Sequence, residues 1–141
     1  MRSPPPRDQN GKIVPHNHRE ILDSHHVVRH ILPQDLYSEP SGKVRVQSGA
    51  YSESSDGGMS VDIIEWMVED GLSELHYLTD PSQGAVKLSV ASLRREGFLV
   101  GWDPDGGHPH HGAVWGIGNG STRRRRIARL AVTLRKAKGE T

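Results

Sequence analysis

The stretch Gly97–Ile117, GFLVGWDPDGGHPHHGAVWGI, decides how the rest of the chain is read. Its apolar runs, Phe98–Trp102 and Ala113–Ile117, are rich in the β-branched and aromatic residues that pack on a pleated surface, so both are predicted strands. Between them Asp103, Pro104, Asp105, Gly106 and Gly107 spell a loop that runs into His108, His110 and His111. A loop between strands presents its side chains to a ligand. Clustered imidazoles there suit metal binding, phosphate binding or proton transfer near neutral pH.

Outward from this core, Ser89 is placed to cap a helix through Glu96, with Val90 and Leu93 inward and Gly97 at its end. Ala85–Leu88 reads as a short strand. Met59–Ile63 reads as another, running into a helix at Ile64–Glu69 that Asp70-Gly71 closes. Lys43–Tyr51 alternates as a half-buried strand, and His25–Leu32 forms one before Pro33, with Arg29 on the face of Val27 and Ile31. On the other side, Gly116–Gly120 lacks the lysine of a phosphate loop and reads as a linker. Ser121 or Thr122 then caps a basic amphipathic helix over 121–137, whose Ile127, Leu130, Ala131 and Leu134 line up as one apolar stripe. The pattern predicts one α+β domain over 21–138, a small mixed sheet of about five strands with about three helices. Residues 1–20, with Pro4-Pro5-Pro6, Gly11 and Pro15, show no period and are expected to form a disordered arm.

The chain has 141 residues, 33% of them apolar and 5% aromatic, enough for a modest core. It contains no cysteine, which excludes disulfides, thiolate catalysis and thiolate zinc sites. No stretch approaches the roughly 18 apolar residues of a membrane span, and MRSPPPRDQNGK has no apolar signal region, so a cytoplasmic protein away from membranes is expected. The net charge of +1 hides an asymmetry: Ser121–Thr141 carries +7 and the preceding 120 residues −6. A segment so basic seeks an anion, on a partner or on the acidic body itself.

Five phrases occur in order: Val28-Arg29-His30-Ile31, Ser48-Gly49-Ala50-Tyr51, Met59-Ser60-Val61-Asp62, Leu93–Val100, and Asp103-Pro104 followed by His111-Gly112-Ala113-Val114. In that order they resemble a family of small bacterial proteins with an Arg-His strand, a small-small-aromatic segment, a Ser-Val segment and an Asp-Pro…His strand before a basic helix. The resemblance spans roughly residues 27 to 135. It implies a shared fold and a shared site, with His111 at the family's histidine, and it brings no reaction with it.

Three chemistries follow from the residues. Asp103, Asp105, His108 and His110 lie in one loop that permits a metal site, but no HExxH-like helical pair is present, and neither a metal centre nor a cofactor is assigned. An Arg–Ser–His site for a nucleotide or nucleic-acid phosphate is the leading expectation. In it Arg29 clamps the phosphate, His111 (or His30) moves protons, Ser48 and Ser60 hydrogen-bond, and Tyr51 stacks on a base. His108 and His110 are expected to be exposed and replaceable, since Gly106, Gly107 and Pro109 hold them in a loop. The rival expectation is a non-catalytic module whose Arg123, Arg124, Arg125, Arg126 and Arg129 bind nucleic acid or an acidic protein.

Overall fold

The computed structural model describes residues 2–55 and 57–141. Among them eight strands and three α-helices follow in order: β1 (His26–Ile31), β2 (Leu36–Ser38), β3 (Val44–Val46), β4 (Met59–Ile63), α1 (Ile64–Glu69), β5 (Gly84–Ser89), α2 (Val90–Arg95), β6 (Leu99–Trp102), β7 (His111–Trp115), α3 (Ser121–Leu130) and β8 (Val132–Arg135). Six strands make one sheet in the order β6-β7-β4-β1-β5-β8, all paired antiparallel, while β2 and β3 form a separate ribbon. The α+β class read from the sequence is the class observed. No helix among the described residues is long and apolar enough to cross a membrane.

Strand alternation gives the large sheet two unlike faces. One carries Val27, Ile31, Val61, Ile63, Val86, Leu88, Val100 and Val114, and packs with Val90 and Leu93 of α2, Ile127 of α3 and the turn residues Ala50 and Tyr51 as the main core. The other is covered only in part, by a smaller cluster in which Leu75 and Leu78 meet Val28, Ile64, Ala85 and Leu134. On this second face Asp62 stands opposite His111, and Ser60 opposite Ala113.

β1 pairs with β5 through six residues, from His26↔Ser89 to Ile31↔Gly84, yet with β4 only at Val27↔Ile63 and Val28↔Asp62. Past that point the two strands part. Arg29 crosses the opening: Nε and Nη2 donate to the Ala50 carbonyl at 3.1 and 2.9 Å, and Nη1 to that of Ser60 at 2.9 Å.

Three segments differ from the sequence reading. Residues 2–20 are held against the domain, with residues 16–18 on the outer edge of β6. There the Asn17 side-chain oxygen accepts from Val100 N at 2.8 Å, His16 Nε2 accepts from Trp102 N at 3.1 Å, and His18 N donates to the Val100 carbonyl at 3.1 Å. Arg2 stacks 3.9 Å over the Trp66 ring and pairs with Glu69, while Arg7 pairs with Asp105. The hold is made by polar side chains on an unpaired strand edge, so it leaves no apolar period in the sequence. Gly101 belongs to the same device, because a Cβ there would strike the His16 ring and carbonyl.

At the other end, α3 stops at Leu130, and Ala131 turns extended to start β8 on the edge of β5. Val132 and Thr133 are β-branched and suit the strand, while the stripe Ile127–Leu130–Leu134 imitates a continuing helix. Leu134 goes to the smaller cluster instead. Finally, the strand expected at Lys43–Tyr51 ends at Val46, after which Ser48–Tyr51 is a 3-10 turn.

Candidate active site

The cleft of interest lies where β1 and β4 part, on the second face of the sheet. It encloses about 290 Å³ and is lined by Arg29, His30, Ser60, Asp62, Tyr77, His108 and His111, among others. Asp62 is its anchor. Its side chain is buried in a strand otherwise built of Met, Ser, Val and Ile, and an imidazole approaches each of its oxygens. His108 Nε2 lies 3.0 Å from Oδ1, and His30 Nε2 lies 3.3 Å from Oδ2. The His30 contact lacks hydrogen-bond geometry, so that buried nitrogen has no partner.

Hydrogen bonds fix where the His108 proton sits. The His110 backbone N–H donates to His108 Nδ1 at 3.2 Å, which leaves Nε2 to carry the proton toward Asp62. Burial pushes the His108 pKa below the ordinary histidine value; Asp62 opposes that shift, while His111 and His110 add to it. His108 is therefore the neutral tautomer at pH 7. Its ring stacks on Tyr77, with centroids 3.6 Å apart and planes 7° from parallel.

His111 starts β7, and its ring lies against the loop backbone of Gly106, where any side chain would overlap it. Nδ1 bonds the Asp103 carbonyl at 2.8 Å, with the Asp103 carboxylate at 3.6 Å. A carbonyl only accepts, so Nδ1 carries the proton. Nε2 makes no hydrogen bond among the described residues, so its lone pair is unengaged in the cleft. Ser60 and His111 also line a second hollow of about 340 Å³, with Lys12, Ser54 and Trp115, so His111 stands between two adjoining spaces.

The expected site residues divide. Arg29, Ser60 and His111 line one cleft, but Arg29 emerges from the core face and its guanidinium is spent on backbone carbonyls. Burial draws its pKa below the usual arginine value, with Asp35 and Tyr51 opposing. Ser48 lies elsewhere, in a shallow hollow with Tyr37, Gln47 and Arg125. Tyr51 is a core residue whose hydroxyl burial pushes up to about 12, so it has no open face for a base. Of the five arginines on α3, Arg125, Arg126 and Arg129 are exposed, Arg123 donates to the Gly116 carbonyl and Arg124 is partly buried; the helix packs on the main-core side and not over the histidines.

Exposed and replaceable describes His108 and His110 poorly. His110 is 4% exposed, with Nδ1 2.7 Å from the Tyr77 hydroxyl and Nε2 2.6 Å from Asp70 Oδ2. Glycine and proline set the loop's path, but that path folds back onto the sheet. The four loop residues that permitted a metal site part company: Asp105 goes to Arg7, Asp103 to His111, His108 to Asp62 and His110 to Asp70. Among the described residues no three His, Asp or Glu side chains are placed to hold a metal ion together.

Sequence reasoning did not single out Asp62, Asp70 or Tyr77. Asp62 had a signal, an acidic residue inside an apolar alternation. Asp70 was read only as a helix end, and Tyr77 carried no site signal. Comparison of the chain with family models, with curated proteins and with solved structures finds no match.

Proposed function

We propose that this chain is an enzyme acting on a phosphate ester of a nucleotide or nucleic acid, with His111 as its general acid–base. One observation carries the reading: a histidine fixed through Nδ1, with Nε2 free, lies cross-strand from a buried aspartate that binds a second histidine in the same cleft. Cleaving a phosphate ester requires one proton to leave the nucleophile and one to reach the departing alcohol. Imidazole does both near neutral pH. His108, held neutral, sets its Nε2 3.0 Å from the Asp62 carboxylate, which lines the same cleft. Lys12, exposed at the adjoining hollow, supplies a cation for the phosphate, a part that Arg29 is too engaged to play.

The test is turnover of a panel: single-stranded RNA, single-stranded DNA, cyclic nucleotides and an aryl phosphodiester. At least one is expected to be cleaved, and His111→Ala should slow that cleavage by about a hundredfold or more. No turnover across the panel, or an unaffected His111→Ala variant, defeats the reading.

A second reading rests on α3. Arg125, Arg126 and Arg129 are exposed and form no ion pair among the described residues. This is the binding-module alternative, for nucleic acid or an acidic protein. It requires that Arg125→Glu with Arg126→Glu abolish a salt-dependent association that His111→Ala leaves intact.

A further inference from the structure

Beside the Asp62 group runs a separate hydrogen-bonded chain that the proposed acid–base role of His111 does not use. Asp70 Oδ2 lies 2.6 Å from His110 Nε2, and His110 Nδ1 lies 2.7 Å from the Tyr77 hydroxyl. The carboxylate can only accept, so it fixes the proton on Nε2 and leaves the Nδ1 lone pair to accept from the phenol. Tyr77 thus points its O–H at a base that is itself oriented by an acid, which is the arrangement of an activated hydroxyl nucleophile. His110 is buried, so solvent does not compete for Nδ1, while Asp70 sits half-exposed at the end of α1. Tyr77 is also held on its ring face by His108 and forms part of the cleft wall that His111 shares.

We infer that Tyr77 is a covalent nucleophile, activated by His110 and Asp70, that accepts the phosphoryl group from the substrate. This rests on the phosphate-ester reading and names the attacking atom at that site. In the first half-reaction the phenolic oxygen bonds to phosphorus, and its proton passes to His110 Nδ1. The bond from phosphorus to the departing alcohol breaks, and protonated His111 gives that alkoxide its Nε2 proton. In the second half-reaction neutral His111 takes a proton from water, whose oxygen bonds to phosphorus. The phosphorus–phenol bond then breaks, and the phenolate recovers its proton from His110. The sum is a diester and water giving a monoester and an alcohol. Burial, with Asp62 and Asp70 nearby, raises the Tyr77 pKa. The hydroxyl therefore stays protonated at rest and needs the base at the moment of attack.

The protein carries its own control in Tyr37, 46% exposed and bonded to no imidazole among the described residues. Benzenesulfonyl fluoride reacts with an activated phenol, forming the sulfur–oxygen bond and releasing fluoride. With the full chain, peptide mass spectrometry should show Tyr77 labelled at least about tenfold faster than Tyr37. In His110→Gln and Asp70→Asn the Tyr77 rate should fall to that of Tyr37. Asp70→Asn, at a half-exposed position, guards against a failure of the His110 variant to fold. Labelling of Tyr77 no faster than Tyr37, or unchanged in both variants, overturns the inference. Cleavage of a phosphodiester by a Tyr77→Phe variant at the wild-type rate overturns it as well, while leaving the role of His111 standing. Fast labelling lost in the variants, with no phosphodiester cleaved, keeps the nucleophile and removes the phosphate reading.

Discussion

His111 stands where it does because Gly106 has no side chain. The imidazole occupies the space a Cβ would take and reaches the Asp103 carbonyl from there. Gly106→Ala should therefore displace the ring and break that bond, costing roughly 1–3 kcal/mol of stability. The His111 ring resonances should move by NMR while those of His16, on the arm, stay in place. Asp62 works through charge. It opposes the burial that lowers the His108 pKa, so Asp62→Asn should lower that pKa further, and a pH titration of the His108 ring reads the change directly. Acidification has a definite sign for the whole protein. Burial is the largest cause holding both His16 and His108 below the ordinary histidine value of 6.5. Beneath that value the unfolded chain binds protons that the folded chain refuses. The stability contributed by these neutral rings is complete above it and drains away as pH falls through it. Thermal midpoints should then be lower at about pH 5 than at about pH 7.5, and His16→Gln, which keeps an acceptor for Trp102 N–H, should narrow the gap.

At the scale of elements, the parts legible in the sequence are those that carry their own signals. Ser89 accepts from Ser92 N at 3.2 Å to cap α2, and Gly97 follows that helix with a φ of 93°. Gly71 ends α1 in the same way, with a φ of 77°. The strands Met59–Ile63 and His26–Ile31 show the expected alternation, with Arg29 on the face of Val27 and Ile31. What stayed illegible depends on distant neighbours. Leu130 and Leu134 fit one helical stripe, and only the open edge of β5 draws Val132–Arg135 into the sheet. Ile127, fully buried, is the residue that seats α3 on the core. Ile127→Ala should cost about 2–5 kcal/mol in a denaturant melt. Arg125→Glu, on the solvent side of the same helix, should leave the melt within about 0.5 kcal/mol of the parent.

The site was half legible for a reason that belongs to the whole molecule. Arg29, Ser60 and His111 sit on segments whose patterns could be read, whereas Tyr77 reaches the cleft only because the chain after α1 crosses the second face, and Asp70 meets it only through His110. The arm is the plainest case of the same limit. Its grip consists of single hydrogen bonds to β6, an arginine over Trp66 and the Arg7–Asp105 pair on the histidine loop. Removing residues 1–18 should lower the thermal midpoint by more than about 5 °C, on the order of 1 kcal/mol at this size. An unchanged midpoint would return the arm to the status of an ornament. The place where β1 leaves β4 has a mechanical meaning as well. With two residue pairs on one side of β1 and six on the other, the large sheet is two three-stranded plates joined at a short seam, and Arg29 is the rivet across it. The cleft opens on that seam, beside the Arg29 bridge. His30 lies on one plate and His111 on the other, and Arg29 ties the parting strands together through backbone carbonyls alone.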